Sequence, residues 1–225
     1  MSSQYERELR QVLAGVPKGV ESVIRSCTPL EKQKMGLVLQ RPFLVVRAAG
    51  SGMEGTGDLL ALRGDLCFPI EVKSTRATKL YLSGRTKLQY EAMVHEGERC
   101  KLMPLYAHRR KGVRGDSWRI FRVETENLSG RLRQLEKSIP AFPTTRNGSV
   151  YLNWEDGMPL NAFIALVCST AGSDDQALHN LKVRSLRNNT MAHALPSTQL
   201  EEIRPAQTLP DKPLDVLAEL ARRRS

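Results

Sequence analysis

The stretch from Gly57 to Ser74 constrains this chain more than any other. Two apolar runs, Leu59 to Leu62 and Leu66 to Val72, flank Arg63-Gly64-Asp65. A turn signal between runs of this length predicts two short antiparallel strands. A hairpin centred between Gly64 and Asp65 sets Asp58 opposite Glu71, with Cβ atoms roughly 5 Å apart. The two-residue period of a strand puts Lys73 on the face of Glu71 and turns Ile70 and Val72 the other way, into a core. Two acids and a lysine thus gather on one side of a small sheet.

Such a group suits a hard divalent cation, which takes oxygen ligands and keeps several waters. With one side open, a pair of carboxylates leaves room for a phosphate. The neighbouring ammonium serves to orient an attacking water or to stabilise charge on phosphorus-bound oxygens. The competing reading is an edge strand with surface charges, in which Lys73 merely pairs with an acid. The spacing alone leaves both open.

Charge distribution bears on that choice. The chain carries a net charge of +10, and residues 1–167 hold 26 Lys and Arg against 17 Asp and Glu. The excess therefore sits in the first three quarters of the sequence, where a polyanion such as nucleic acid would bind. Cys27, Cys67, Cys100 and Cys168 form no Cys-x-x-Cys pair, and with four scattered histidines they predict reduced thiols rather than a zinc site. No run of about 18 apolar residues is present, so no membrane span is expected. The expectation is a cytoplasmic, nucleoid-associated protein.

Along the chain, Tyr5, Leu9, Val12 and Leu13 predict an amphipathic helix with Glu6 at the border of its apolar stripe and Arg7 and Arg10 outside. Residues 15–40 read as a connector with one or two helical turns, broken by Pro17 and Pro29. Phe43 to Arg47 reads as an apolar strand. It leads into a loop from Ala48 to Gly57 with four glycines, which lacks the Gly-Lys-Ser/Thr of a phosphate loop. That loop is either a close approach for a phosphate backbone or an ordinary surface loop.

After the hairpin comes a basic segment with Arg76, Lys79 and Arg85, expected to contact DNA. A helix is predicted from about Thr86 to Glu96, ending at Gly97. Strands follow at Lys101–Ala107 and Trp118–Val123, joined by a basic turn from His108 to Gly115 that is either a DNA-contacting tip or a solvated loop. Residues 150–154 predict a strand and Leu160 to Val167 a helix. Beyond Cys168 the sequence turns polar and proline-bearing, predicting a partly disordered linker and a short terminal helix from Leu214. The domain expectation is 1–167 for the functional domain and 168–225 for an extension.

The order of these segments resembles the PD-(D/E)xK nuclease superfamily and, within it, the archaeal Holliday-junction resolvases. The resemblance is carried by Tyr5-Glu6-Arg7-Glu8-Leu9, Val45-Val46-Arg47-Ala48-Ala49-Gly50-Ser51, Asp58-Leu59-Leu60-Ala61, Ile70-Glu71-Val72-Lys73-Ser74 and Lys79-Leu80-Tyr81. It implies an α/β fold, a central mixed β-sheet flanked by helices in the restriction-endonuclease-like manner. It also implies Asp58 and Glu71 as metal ligands, with the carbonyl of Val72 as a further one, and Glu6 as a helix-borne acid reaching the metal. Lys73 would be the catalytic lysine, and Ser51 would lie near the scissile strand. Arg7 and Arg47 would hold DNA phosphates. The family works as a homodimer with magnesium, for which manganese substitutes, and makes paired nicks in a four-way junction. The tail after Cys168 has no counterpart in the family pattern and is a candidate contact for a repair-protein partner. Another nuclease of the superfamily, or a non-catalytic junction-binding paralogue, is the alternative.

Overall fold

The computed structural model describes residues 4–48 and 55–169. All of them lie in the first of two units of the chain, Met1–Leu178. Ser51, most of the glycine loop and the expected tail linker and terminal helix fall outside the described residues.

A six-stranded mixed sheet forms the centre. Its strands are β1 (Leu44–Arg47), β2 (Leu59–Arg63), β3 (Leu66–Thr75), β5 (Leu105–Arg110), β6 (Trp118–Arg122) and β8 (Met158–Pro159), in the spatial order β1-β2-β3-β5-β6-β8. Strands β4 (Lys79–Tyr81) and β7 (Tyr151–Asn153) pair antiparallel in a separate small sheet. Among the paired strands of the described residues only β3 and β5 run parallel, because helix α4 (Arg85–Cys100) intervenes as the crossover that a parallel pair requires. The other helices are α1 (Gln4–Leu13), α2 (Pro17–Ile24), α3 (Pro29–Gln40), α5 (Gly130–Glu136) and α6 (Leu160–Cys168).

The β2–β3 hairpin has the predicted register: Leu59 pairs with Ile70, Ala61 with Phe68 and Arg63 with Leu66. Alternate residues of the sheet feed two cores. Leu66, Phe68 and Ile70 pack with Leu9 and Leu13 of α1, Met35 and Val38 of α3, and Phe163 of α6. Each such side chain contributes about 1.5–3 kcal/mol through its removal from water. On the opposite face Tyr106 and Phe121 pack with Tyr90 and Met93 of α4, Phe142, and Leu152 of β7.

Residues 15–40 differ from the expectation. They form two full helices, because Pro17 and Pro29 stand at the first turn of each, where the missing N–H has no intrahelical partner to lose. Thr28 and Glu31 cap α3 reciprocally: the Thr28 hydroxyl accepts from the Glu31 amide, and the Glu31 carboxylate accepts from the Thr28 amide at 2.7 Å. The guanidinium groups of Arg63 and Arg41 donate to the carbonyls of Val167 and Cys168, closing the end of α6 onto the sheet and α3.

Three further boundaries move. Helix α4 runs through Gly97 to Cys100, because Gly97 is a packing position; a Cβ there would lie 2.5 Å from the Thr125 methyl. Strand β5 begins at Leu105 and includes His108, Arg109 and Arg110, which the sequence reading places in the basic turn. Residues 151–153 are strand as expected, whereas Trp154–Asp156 turn into a 3₁₀ helix. Among the described residues no helix is long and apolar enough to cross a membrane.

Candidate active site

The hairpin brings the sequence-nominated residues to the face of the sheet covered by α4. Asp58 immediately precedes β2. Its amide donates to the Ile70 carbonyl at 2.8 Å, and its carboxylate Oδ2 accepts from the Val72 amide at 2.8 Å. These bonds tie Asp58 to the backbone on both sides of Glu71. Gly57 makes the approach possible: it has a φ of +70°, and a Cβ there would lie 2.6 Å from the Ile70 carbonyl oxygen. Glu71 is buried, and its Oε1 accepts from Lys73 Nζ at 2.7 Å. Val72 points to the opposite side and packs against the main core.

Helix α4 contributes a residue that the sequence reading did not single out. Gln89 Oε1 accepts from Lys73 Nζ at 2.9 Å, so the ammonium bridges the sheet and the helix. Nothing local in the sequence marks Gln89; only the packing of α4 onto the sheet brings it there.

Electrostatics tie the group together. Burial pushes the Asp58 carboxyl up to about 6, and the charge of Glu71 adds to the rise. The Val72 hydrogen bond and Lys73 oppose it, while Glu6 raises it further. Glu6 is therefore within electrostatic reach of Asp58, and it also lies 3.9 Å from the Arg47 guanidinium. Tyr106, level with Glu71 in the β3–β5 ladder, has a buried hydroxyl without a hydrogen-bond partner. Burial, and then the charge of Glu71, keeps that phenol protonated.

Among the described residues no three His, Cys, Asp or Glu side chains cluster as a metal-holding group. What the sheet offers is two carboxylates and neighbouring backbone oxygens, an all-oxygen donor set. That fits an ion such as magnesium, which is held by one or two carboxylates and completes its shell with water and phosphate.

The basic residues divide. Arg7, Arg47, Arg76, Lys79 and Arg85 are exposed. Arg109 and Arg110 are drawn inward instead. Arg109 pairs with Glu8 at 2.7 Å and lies over the Tyr5 ring, while Arg110 pairs with Glu155 at 3.1 Å and lies over Trp154. The turn thus has fewer free cations than its sequence suggests. His108 is fully buried against Thr75, and burial lowers its imidazole to about 4, so it is neutral.

A mixed sheet flanked by helices, with an aspartate ahead of its second strand and Glu-x-Lys on its third, is the arrangement that the sequence resemblance implies. Residues 30–139 match the family model described as archaeal Holliday junction resolvase (Hjc). The match takes in Arg47, Asp58, Glu71 and Lys73 and begins after α1, so Glu6 and Arg7 lie outside it. Among solved structures, the chain is similar to Hjc of Archaeoglobus fulgidus, a Holliday junction resolvase from an archaeal hyperthermophile. The likeness has 21% identity and a TM-score of 0.40, and it covers 62% of this chain and 98% of that one. No curated protein matches the chain.

Proposed function

We propose that this protein is a structure-selective endonuclease that resolves four-way DNA junctions by paired phosphodiester hydrolysis with magnesium. The observation that carries the reading is the convergence of Asp58 and Glu71 beside Lys73, on a chain whose middle matches the resolvase family. Asp58, Glu71 and the Val72 carbonyl would hold the ion. When bound, the metal supplies Lewis-acid polarisation of the scissile phosphate and activation of water.

The chain's own residues do the rest. Asp58 is fixed by the Ile70 carbonyl and the Val72 amide, so its carboxylate is oriented before substrate arrives. Lys73 is held between Glu71 and Gln89 with its charge toward the reacting phosphate, where it orients water or offsets developing negative charge. Glu6 adds a third negative charge near Asp58, favouring cation uptake. Arg7 and Arg47, with Arg76, Lys79 and Arg85, hold phosphates flanking the cut, and Ser51 belongs to the loop beside the scissile strand. An isologous homodimer matches the approximate two-fold symmetry of the junction and presents one site to each of two strands.

The test uses labelled four-way, Y-shaped and linear DNA with and without magnesium. Symmetric nicks in the four-way substrate alone are expected. Asp58→Asn and Glu71→Gln should each lower cleavage by about 10²- to 10³-fold, as for loss of a principal electrostatic group, while junction binding persists. Undiminished nicking by either variant would remove the proposed site.

A further inference from the structure

The segment that leaves the active site, residues 72–90, contains Lys73, Arg76, Lys79, Arg85 and Lys87 and no aspartate or glutamate. Within it lies β4, whose partner β7 comes from some seventy residues further along the chain. Leu80 and Leu152 pair across this small sheet and close the second core. The two-residue period turns Lys79, Tyr81 and Tyr151 to the outside.

Tyr81 and Tyr151 face each other across the ladder with ring centroids 5.4 Å apart and planes inclined by 27°. The Lys79 ammonium lies 5.9 Å from the centre of the Tyr151 ring. Cross-strand stacking accounts for one face of Tyr81. Yet Tyr81 stays 58% exposed, so the other face of a large, flat, rigid ring is open to solvent. The platform is anchored to the catalytic strands through the backbone. The Lys111 amide donates to Thr75 at the end of β3, and the Trp154 amide donates to Thr78 just ahead of β4.

We infer that the Tyr81–Tyr151 pair, with Lys79 and Arg76, is a stacking platform for a DNA base that has lost its neighbour in the helix. A planar ring beside the Lys79 ammonium, on a segment that carries no acid between residues 72 and 90, suits a nucleotide, the ring taking the base and the cations its phosphate. Bases whose stacking is interrupted occur at a branch point, so the platform would favour branched over continuous duplex DNA without reading sequence. This inference rests on the reading of the chain as a branched-DNA nuclease and deepens it.

The experiment uses the full chain, in the absence of divalent metal, with four-way junctions carrying 2-aminopurine at the branch point. Binding of the unaltered protein should quench the probe. Tyr81→Ala should abolish the quench and weaken junction affinity about 5- to 150-fold, the range for loss of one base–aromatic stack, with little change in affinity for linear duplex. Tyr81→Phe, which keeps the ring, should restore both. Equal quench and affinity in Tyr81→Ala would overturn the platform while leaving the nuclease reading intact. Conversion of a dimer to a monomer by Tyr81→Ala would also overturn it, by assigning the pair to a protomer interface. If the unaltered protein fails to bind four-way DNA, the functional reading falls and the platform with it.

Discussion

Asp58 is the residue on which sequence, geometry and charge converge. Its carboxyl is pushed up to about 6 mainly by burial and next by Glu71. Between the ordinary carboxylate value and about 6, the folded chain therefore holds a proton that the unfolded chain has released. Stability falls as pH climbs through that window and stays lowered above it. Asp58→Asn removes this penalty. Without divalent ions, the variant should match the unaltered protein near about pH 4 and exceed it near about pH 7.5, by about 1–2 kcal/mol after allowance for partial exposure. Thermal denaturation at the two pH values measures this. Equal stabilities at both would mean that the Asp58 carboxyl is not buried beside Glu71. A divalent cation bound by the ionised carboxylate offsets this penalty, so added magnesium should raise the melting temperature of the unaltered protein above about pH 6 and not that of the variant.

Elements were legible in proportion to how local their causes are. The β2–β3 register follows from a tight turn and two apolar runs, all within 18 residues, and the pairing of Leu59 with Ile70 is as expected. Helix α1 was equally plain from one apolar stripe. Helix α3 is masked by Pro29, which reads as a breaker, although Thr28 and Glu31 three residues apart spell a capping box. Strand β7 is legible by itself, but its pairing with β4 and the place of Gln89 beside Lys73 have no local signal; long-range packing alone creates them. The capping box yields a direct test. Thr28→Ala frees the Glu31 amide and should cost about 1 kcal/mol, lowering the melting temperature by roughly 2–4 °C in a chain of this size. Since α3 packs through Met35 and Val38 into the core beneath β2 and β3, the loss should appear in global unfolding. A change confined to local helix content would separate α3 from the cooperative unit.

At the scale of the whole molecule, one protomer offers one set of Asp58, Glu71 and Lys73, whereas resolving a four-way junction requires two cuts in opposed strands. The proposed dimer meets that demand by symmetry rather than by a second site within the chain. A mixed dimer, with one unaltered protomer and one Glu71→Gln protomer, separates the alternatives. Both protomers retain every exposed arginine and lysine named for DNA, so the mixed dimer should bind the junction as the unaltered dimer does. With a single competent site it should nick one strand and leave the four arms joined. Purifying such dimers through two different tags and resolving the products on native and denaturing gels measures both outcomes. Accumulation of singly nicked junctions supports one site per strand. Full resolution at the rate of the unaltered protein would show that one site cuts both strands in turn, and the symmetry argument for the dimer would fail, although the chemistry assigned to Asp58, Glu71 and Lys73 would stand.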